Sequence, residues 1–322
     1  MTRYRTPVTK RSLFELAVTA GPLIALFALS WSALSVSVWL ALAISIGNAA
    51  FLVRLFMIQH DCGHGSFFKD RTLNDWLGRL IGVFTLTPYD VWRRNHAIHH
   101  AANGNLDRRG VGDVPTFTVA EYRAKSATGR WRYRVLRHPL FLFGLAPAYV
   151  FFLEYRLPIG LMRLGWRYWI SALGTNAALL ALLGGLYVLG GWQVLVFVYL
   201  PTTFFAASAG MWLFFVQHQF EETVWERDED WNVQDAALSG SSYYVLPGLL
   251  NWFTANIGVH HVHHLASRIP FYRLGEVLQD HTELGQLQRL SLMDSLHCAR
   301  LHLWDERTRR LVSFAEVRNQ PV

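Results

Sequence analysis

Histidines at helical spacing are the residues of this chain most suited to chemistry. Nine of its fourteen histidines belong to three short clusters: His60-Asp61-Cys62-Gly63-His64, His96-Ala97-Ile98-His99-His100 and His260-His261-Val262-His263-His264. Residues three and four apart share one side of a helix, so His260, His263 and His264 are predicted to converge while His261 points elsewhere. Three neutral imidazoles on one side form a site for a transition metal such as iron, zinc or copper. The second cluster repeats the H-x-x-H-H pattern, which favours metal binding over solvated or packed histidine.

The composition is typical of a membrane protein. Hydrophobic residues make up 52% of the chain and charged residues 16%, whereas average globular proteins carry about a quarter charged residues. The thirteen Trp and twelve Tyr agree with this interpretation, because both residues favour the membrane–water interface. The net charge of +7 is explained by membrane-flanking Arg and Lys, and no nucleic-acid-binding signature accompanies it. The two cysteines, Cys62 and Cys298, predict no disulfide framework.

Two long stretches, Leu16–Val53 and Tyr168–Phe220, contain no Asp, Glu, Lys or Arg. Each is about twice the length of a single span, which needs about 20 residues, so each predicts a pair of helices. The predicted spans are 14–34, 38–59, 168–189 and 192–217. Both turns within the pairs are uncharged, so the positive-inside rule places the termini and all basic segments in the cytoplasm. For a bacterial protein the membrane would be the inner one.

The predicted fold class is therefore all-α and integral to the membrane. Four transmembrane helices form two hairpins, and a cytoplasmic helical cap of residues 60–167 and 218–322 holds a histidine-rich di-metal site. We expect a single domain over residues 1–322, with no internal repeat.

His218 joins the clusters because it stands at the cytoplasmic end of the fourth span, at the depth of His60. The candidate metal ligands number nine: His60, His64, His96, His99, His100, His218, His260, His263 and His264. A structural zinc site uses four ligands, so nine imply two metals. Imidazole-rich sites with two metals suit iron and oxygen activation. Zinc hydrolysis is disfavoured, because the chain has no H-E-x-x-H motif.

Residues beside the clusters have alternative roles. Asp61 would either orient a ligand imidazole through its ring N–H or cap a helix. His261 is either a partner of a ligand or a surface residue. Cys62 points off the His60/His64 face and is left out of the ligand set. Glu221 and Glu222 are interpreted as solvated residues at the membrane edge.

Two segments between the spans are less regular. Leu73–Val91 interleaves apolar and charged residues, which predicts one amphipathic helix lying on the membrane. Pro139–Leu157 is apolar but contains Pro147 and Glu154, and its length is marginal for a span. We expect it to be interfacial or re-entrant.

The histidine clusters, in their order and position, resemble the three histidine boxes of the membrane fatty acid desaturases. The surrounding segments Gly63–Phe68, Gln217–Trp225 and Arg268–Leu274 are similar to those of the acyl-lipid branch in bacteria and plastids, which includes the Δ12/ω6 enzymes. The resemblance covers nearly the whole chain. It implies a non-haem di-iron enzyme that uses O2 as co-substrate and two electrons to introduce a double bond, of the Δ12/ω6 type, into a lipid-linked acyl chain.

The resemblance also implies partners and further site residues. The eight box histidines map onto iron ligands, His218 is the ninth, and Asn256 would hold a water that completes the site. The acyl lipid would enter from the bilayer into an apolar tunnel. The chain has no His-Pro-Gly-Gly motif, so electrons would come from a separate ferredoxin or cytochrome b5. The basic residues Arg93, Arg94, Arg108 and Arg109 would dock such a donor or contact lipid headgroups.

Three other outcomes on the same scaffold remain open at this point, namely hydroxylation, acetylenation and carotenoid oxidation. A non-enzyme alternative is a histidine-rich membrane metal transporter. A transporter predicts His or acidic residues within the spans, and both apolar stretches lack them except at their ends.

Overall fold

The computed structural model describes residues 1–319, which are mainly helical. The helices are α1 (Thr9–Ala33), α2 (Val38–His64), α3 (Arg71–Phe84), α4 (Tyr89–Ala102), α5 (Val119–Ala124), α6 (Ala127–Leu136), α7 (Ala146–Phe152), α8 (Trp166–Val194), α9 (Leu200–His218), α10 (Val233–Ser239), α11 (Gly248–Phe253), α12 (His260–Leu265), α13 (Leu274–Asp280), α14 (Leu292–Cys298) and α15 (Phe314–Asn319). The strands are β1 (Phe117–Thr118), β2 (Tyr243–Tyr244), β3 (Arg289–Leu290), β4 (Leu303–Asp305) and β5 (Arg310–Val312).

Three helical segments within residues 1–319 are long and apolar enough to cross a membrane: α1, α2 and the stretch Trp166–His218. The number becomes four when Ala127–Leu136 and Phe141–Arg156, which are bent by 56°, are taken as one broken span. The first two predicted spans correspond to α1 and α2, and α2 continues to His64. The N-cap Ser37 accepts a hydrogen bond from the backbone N–H of Leu40, which defines the start of α2 after a short turn.

The stretch Trp166–His218 is not one straight helix. Gly191 has φ 69° and ψ −174°, a conformation open to glycine because it has no Cβ. A π-helical turn, Leu195–Tyr199, follows it and leads into α9. The predicted boundary between spans 168–189 and 192–217 therefore coincides with a real break in the helix.

The segment Leu73–Val91 differs from its prediction as one amphipathic helix. It forms two helices, α3 and α4, separated by Thr85–Pro88. The break follows from Leu86, whose φ is 59°, and from Pro88, which disfavours helical geometry in the residue before it. The first helix, α3, is amphipathic, with Leu73, Trp76 and Leu80 exposed. The second helix, α4, carries the middle histidine cluster.

The cap is helical except for two small sheets, so the description as all-α is wrong in this detail. Strand β1 pairs in parallel with β4, which pairs antiparallel with β5. Strand β2 pairs in parallel with β3. Both sheets join segments far apart in sequence, and pairings of this kind leave no periodic signal in strands of two or three residues. They tie the C-terminal segment to the rest of the cap. The single-domain description over residues 1–322 stays a prediction.

Helix α2 is central to the packing, with α1, α3 and α9 against it. The largest cluster of buried apolar side chains extends from this helix into the cap and includes Ile58, Phe67, Phe215, Val262 and Phe271. The histidine-bearing ends of α2 and α9 are thus held in fixed relation to α12 in the cap.

Candidate metal centre

The structure gathers all nine predicted ligands into two groups of imidazoles. The first group is His60, His64, His96, His100 and His263, and the second is His99, His218, His260 and His264. Within each group the ring nitrogens that could bind an ion all lie within 4.8 Å of one another. Each group has enough imidazoles to hold one metal ion, and the binding of two metals stays a prediction.

His260, His263 and His264 do not converge on one site, contrary to the prediction, and the other H-x-x-H-H cluster is divided in the same way. His260 and His264 belong to the four-histidine group, whereas His263 belongs to the five-histidine group. In α4, likewise, His96 and His100 lie together and His99 lies in the other group. The reason is helical geometry, because residues i+3 and i+4 are about 100° apart around a helix axis. Helices α4 and α12 therefore each contribute to both groups, which keeps the two sites adjacent.

The nitrogen spacing tests whether these residues fit metal ions. The Nε2 atoms of neighbouring histidines are 3.0 Å apart for His64–His96 and 3.1 Å apart for His96–His100 and His100–His263. In the second group they are 3.1 Å apart for His99–His218, 3.0 Å for His218–His260 and 3.1 Å for His260–His264.

Two nitrogens that each lie about 2.1 Å from one ion are about 3.0 Å apart when their bonds meet at a right angle, and about 3.4 Å apart in a tetrahedron. The observed spacing is close to that of two nitrogens bound to one metal ion.

The tautomers of two rings give a second test of fit. His99 Nδ1–H donates to Asp113 Oδ1 at 2.6 Å, and His218 Nδ1–H donates to the carbonyl oxygen of Gly240 at 3.1 Å. Both acceptors can only accept, so in the neutral rings both Nε2 atoms carry lone pairs. These two lone pairs face each other across 3.1 Å. A cation bound between them satisfies both, which a hydrogen bond between the neutral rings cannot do.

Five of the candidate ligands in the cap favour the neutral form. Burial lowers the pKa of His96, His100, His260, His263 and His264 well below the ordinary value for histidine, and neighbouring imidazoles lower it further. Neutral imidazole is the form of histidine that binds a metal.

Asp113 is a functional candidate that the sequence did not reveal. It follows Gly112, whose φ is 70° and where an added Cβ would lie 3.3 Å from Cβ of His99. The missing side chain lets this loop pack directly on α4, so that the carboxylate reaches the His99 ring. Carboxylates in this position fix the orientation of a ligand ring and raise its basicity. The sequence offers one signal for Asp113, an acidic residue after a short glycine-containing segment. Its spacing does not connect it with His99.

The residues beside the clusters have varied surroundings. Asp61 Oδ1 lies 3.4 Å from His60 Nδ1, and Asp61 Oδ2 accepts from the backbone N–H of Phe271 at 2.7 Å. Asp61 thus contacts a candidate ligand and the cap together. The surface alternative for His261 is wrong, since this ring is buried and its Nε2–H donates to the Leu284 carbonyl at 2.9 Å.

The side chain of Asn256 is hydrogen-bonded to two other residues. Its Nδ2 donates to the carbonyl of Phe271 at 3.2 Å, and its Oδ1 accepts from Asn251 Nδ2 at 2.8 Å. The water-mediated role of Asn256 stays a prediction. His261 and Cys62 lie outside both histidine groups, and Glu221 forms an ion pair with Arg310 at 2.9 Å.

Aromatic rings cover the imidazoles. The Trp92 ring stacks on His96 with centroids 4.7 Å apart. Phe214 lies 5.1 Å from His99 and 5.3 Å from His218, measured between ring centroids. An aromatic ring thus packs against histidines of each group, Trp92 in the five-histidine group and Phe214 in the four-histidine group.

Removing the Asp113 carboxylate is expected to weaken metal binding in the four-histidine group. In the Asp113→Ala variant His99 Nδ1 loses its acceptor, and loss of such an outer partner typically costs about 10- to 100-fold in metal affinity. The measurement is metal content per chain after dialysis against a graded series of chelator concentrations. Asp107→Ala is the matched control, because that exposed carboxylate pairs with Arg227. Equal metal retention by the two variants would remove Asp113 from this role.

Comparison with known proteins identifies the family. The sequence matches the fatty acid desaturase family over residues 37–294, a range that contains all nine histidines. The chain belongs to the fatty acid desaturases. It is 42% identical over 319 residues to a fatty acid desaturase of Bacillus subtilis, covering 99% of this chain and 90% of that protein. The predicted family and enzyme class, an oxidoreductase, are confirmed.

More distant relatives come from cyanobacteria and plants. The chain is 33% identical over 232 residues to the sn-1 acyl-lipid omega-3 desaturase (ferredoxin) of Synechocystis, covering 68% of this chain and 61% of that protein. It is 29% identical over 274 residues to the chloroplastic omega-3 fatty acid desaturase of Brassica napus, covering 79% of this chain and 64% of that protein. The chain thus spans less than two thirds of the length of these two relatives.

Proposed function

We propose that this desaturase performs O2-dependent desaturation of a lipid-linked fatty acyl chain at a non-haem di-iron centre. The observation that carries the proposal is the pair of imidazole groups, five and four, at the ends of apolar helices. In the balanced reaction, two vicinal methylene groups lose two hydrogens to form a double bond. One O2, two electrons and two protons are consumed with those hydrogens, and two water molecules are formed.

The ligand set of this centre is proposed as His60, His64, His96, His100 and His263 for one iron and His99, His218, His260 and His264 for the other. Asp61 and Asn256 are proposed as outer residues of the site, Asp61 through His60 and Asn256 through a water. Iron bound here would activate O2 for removal of hydrogen from an unactivated methylene.

Residues of the chain orient the histidine rings around this centre and exclude water from it. Asp113 and the Gly240 carbonyl hold the His99 and His218 rings in the tautomer that directs Nε2 inward. Trp92 and Phe214 exclude water from the imidazoles, which protects a reactive site. Placement of the target methylene decides the rate, because small errors in position are costly.

For the topology we propose four spans in two hairpins, with both termini and the metal centre in the cytoplasm of a bacterial cell. The break at Gly191 supports a second hairpin, since a continuous helix over Trp166–His218 would be about 80 Å long at 1.5 Å per residue. A hydrocarbon core is about 30 Å thick. The inner membrane is the proposed location.

The electron donor is proposed to be a separate ferredoxin or cytochrome b5. Two cyanobacterial relatives carry ferredoxin in their names, which supports the first of these. The lipid substrate is proposed to enter from the bilayer.

The Δ12/ω6 position of the new double bond stays a prediction. Several relatives are named omega-3 desaturases, so a double bond nearer the methyl end is the second candidate.

Expression in a host that makes oleate and supplies reduced ferredoxin is expected to yield a new dienoic fatty acid. Gas chromatography and mass spectrometry of the methyl esters, with derivatives that locate double bonds, would identify the product and its position. A hydroxylated, acetylenic or carotenoid product would assign one of the other oxidations instead. An unchanged profile from protein that retains iron would count against the proposal, and exchangeable zinc transported across vesicles would favour a metal transporter.

A further inference from the structure

A second polar site lies beside the histidine centre and contains none of the candidate ligands. A cavity of about 290 Å³ is lined by four arginines and one carboxylate: Arg71, Arg93, Arg94, Arg167 and Asp90. Gly63, next to the ligand His64, forms part of its wall, as does Tyr168 at the start of α8. The cavity therefore brings the ends of two apolar helices, α2 and α8, together with α4.

The arginines outnumber their acidic partners. The ion pairs of this network are Arg71–Asp75 at 3.4 Å, Arg93–Asp75 at 2.6 Å, Arg93–Asp90 at 4.0 Å, Arg79–Asp90 at 2.9 Å and Arg167–Asp90 at 2.5 Å. Arg94 is exposed and forms no ion pair within residues 1–319. Five guanidinium groups share two carboxylates, so the network has an excess of three positive charges. A concave surface with this excess attracts an anion.

The two carboxylates also orient the arginines. Asp90, which is 4% exposed, pairs with Arg79 and Arg167, and Asp75 pairs with Arg71 and Arg93, so both carboxylates anchor guanidinium groups at the cavity. Guanidinium groups held in this way keep further N–H donors free for an incoming group. Phosphate oxygens are the acceptors that the planar fork of arginine matches in two parallel hydrogen bonds.

The depth of the cavity indicates where such a phosphate comes from. Along α2, Gly63 is about 38 Å from Val38, and along α8, Arg167 is about 35 Å from Gly190, at 1.5 Å per residue. The hydrocarbon core is about 30 Å thick, and the bilayer with its headgroups is about 40–45 Å. With the far ends of these helices at the opposite hydrocarbon boundary, both distances place the cavity within the headgroup layer. Trp166, which is 79% exposed, stands beside it as an interfacial residue would.

We propose that this cavity binds the phosphate group of a glycerophospholipid and so holds the substrate lipid by its headgroup beside the metal centre. The inference rests on the proposed desaturase function and deepens it by naming the substrate class. A phosphate at headgroup depth fits a cavity of this size and concavity, whereas an acidic protein would need a broad accessible face. Phospholipid is thereby favoured over a neutral glycolipid.

The test uses the Arg94→Gln variant of the full-length, iron-loaded protein. Arg94 is the appropriate position because its removal leaves no carboxylate unpaired. Native mass spectrometry would compare retention of phosphatidylglycerol with retention of a galactosyldiacylglycerol carrying the same acyl chains. Wild-type protein is expected to prefer phosphatidylglycerol, and Arg94→Gln is expected to weaken its binding about tenfold, the cost of losing a charge-assisted hydrogen bond. Arg94→Lys should recover part of the binding, because it keeps the charge without the fork.

Arg300→Gln is the matched control, since Arg300 is also exposed, forms no ion pair within residues 1–319 and lies outside the cavity. Equal retention of both lipids by wild-type protein would overturn the proposal. Displacement of phosphatidylglycerol by equimolar inorganic phosphate would assign the cavity to a soluble phosphate compound and overturn the lipid source. Unchanged lipid retention in Arg94→Gln with a raised KM for reduced ferredoxin would assign it to donor docking.

The two proposals fail separately. Lipid retention is measured without turnover. A protein that prefers phosphatidylglycerol but makes no unsaturated product would therefore contradict the proposed function and leave the cavity assignment standing. A protein that forms product but shows no headgroup preference would contradict the cavity assignment and leave the proposed function standing.

Discussion

The His263→Ala variant is expected to lose the metal of the five-histidine group and all measurable product. His263 Nε2 lies 3.1 Å from His100 Nε2, and the His263 ring is buried at the centre of the group, 4.6 Å from the His60 ring and 4.8 Å from the His64 ring between centroids. Alanine removes a ligand that no nearby side chain of the described residues replaces. The loss of activity should exceed the about 10- to 100-fold cost of removing an outer partner of a ligand.

His261→Ala is the matched control for this prediction, because the same short helix carries both residues and both are buried. His261 lies in neither histidine group and bonds to the Leu284 carbonyl instead. Iron content per purified chain is the first measurement, and dienoic product in expressing cells is the second. Iron should fall by about half in His263→Ala if each group binds one ion, and it should be unchanged in His261→Ala. Full iron content and activity in His263→Ala would remove this residue from the ligand set.

The sequence predicts candidate ligands because a metal site imposes a short-range pattern. Imidazoles from one helix must be three or four residues apart to reach one face, so His60/His64, His96/His100 and His260/His264 are visible as pairs. His218 was predicted from its place at the end of an apolar stretch, which sets its depth. The division of each H-x-x-H-H cluster follows from the angle of about 100° between residues i+3 and i+4. The spacing does not contain which histidines of the other helices complete each group.

Features that depend on contacts distant in sequence were not predictable in the same way. Asp113 reaches His99 through a loop conformation, and the β1–β4 pair joins residues 117–118 with 303–304. The break between α3 and α4 could have been predicted from the sequence, since Pro88 is a recognised helix boundary signal. The amphipathic pattern continued across it and favoured one helix, because periodicity alone does not report a change of direction.

A buried ion pair connects α1 and α2, two candidate membrane helices, to α11. Arg54 of α2 pairs with Glu15 of α1, and their side chains are 3% and 2% exposed. Arg54 also donates to the Trp252 carbonyl of α11 and lies over the Trp252 ring at 4.0 Å. Glu15 has a second partner in Arg11, at 2.6 Å, whose side chain is 53% exposed.

Arg54→Ala is expected to destabilise the fold by about 3–5 kcal/mol, the usual cost of removing one partner of a buried ion pair. Arg11→Ala, which removes the exposed partner of the same carboxylate, should cost less than about 1 kcal/mol. Adding Glu15→Ala to Arg54→Ala should recover part of the loss, because it removes the carboxylate left without its buried partner. Such recovery is the coupling that a double-mutant cycle detects.

The two thiols of this protein can be used to measure the unfolding of these variants. Cys62 and Cys298 are both buried, with 0% and 3% exposure, and burial raises the pKa of the Cys298 thiol to about 12. Both thiols are therefore unreactive until the surrounding structure opens, so a thiol-specific fluorophore reports unfolding on heating in detergent. Arg54→Ala should unfold at a clearly lower temperature than Arg11→Ala. Equal midpoints for the two variants would show that the Arg54–Glu15 pair contributes no more than an exposed one, despite its burial between α1, α2 and the cap.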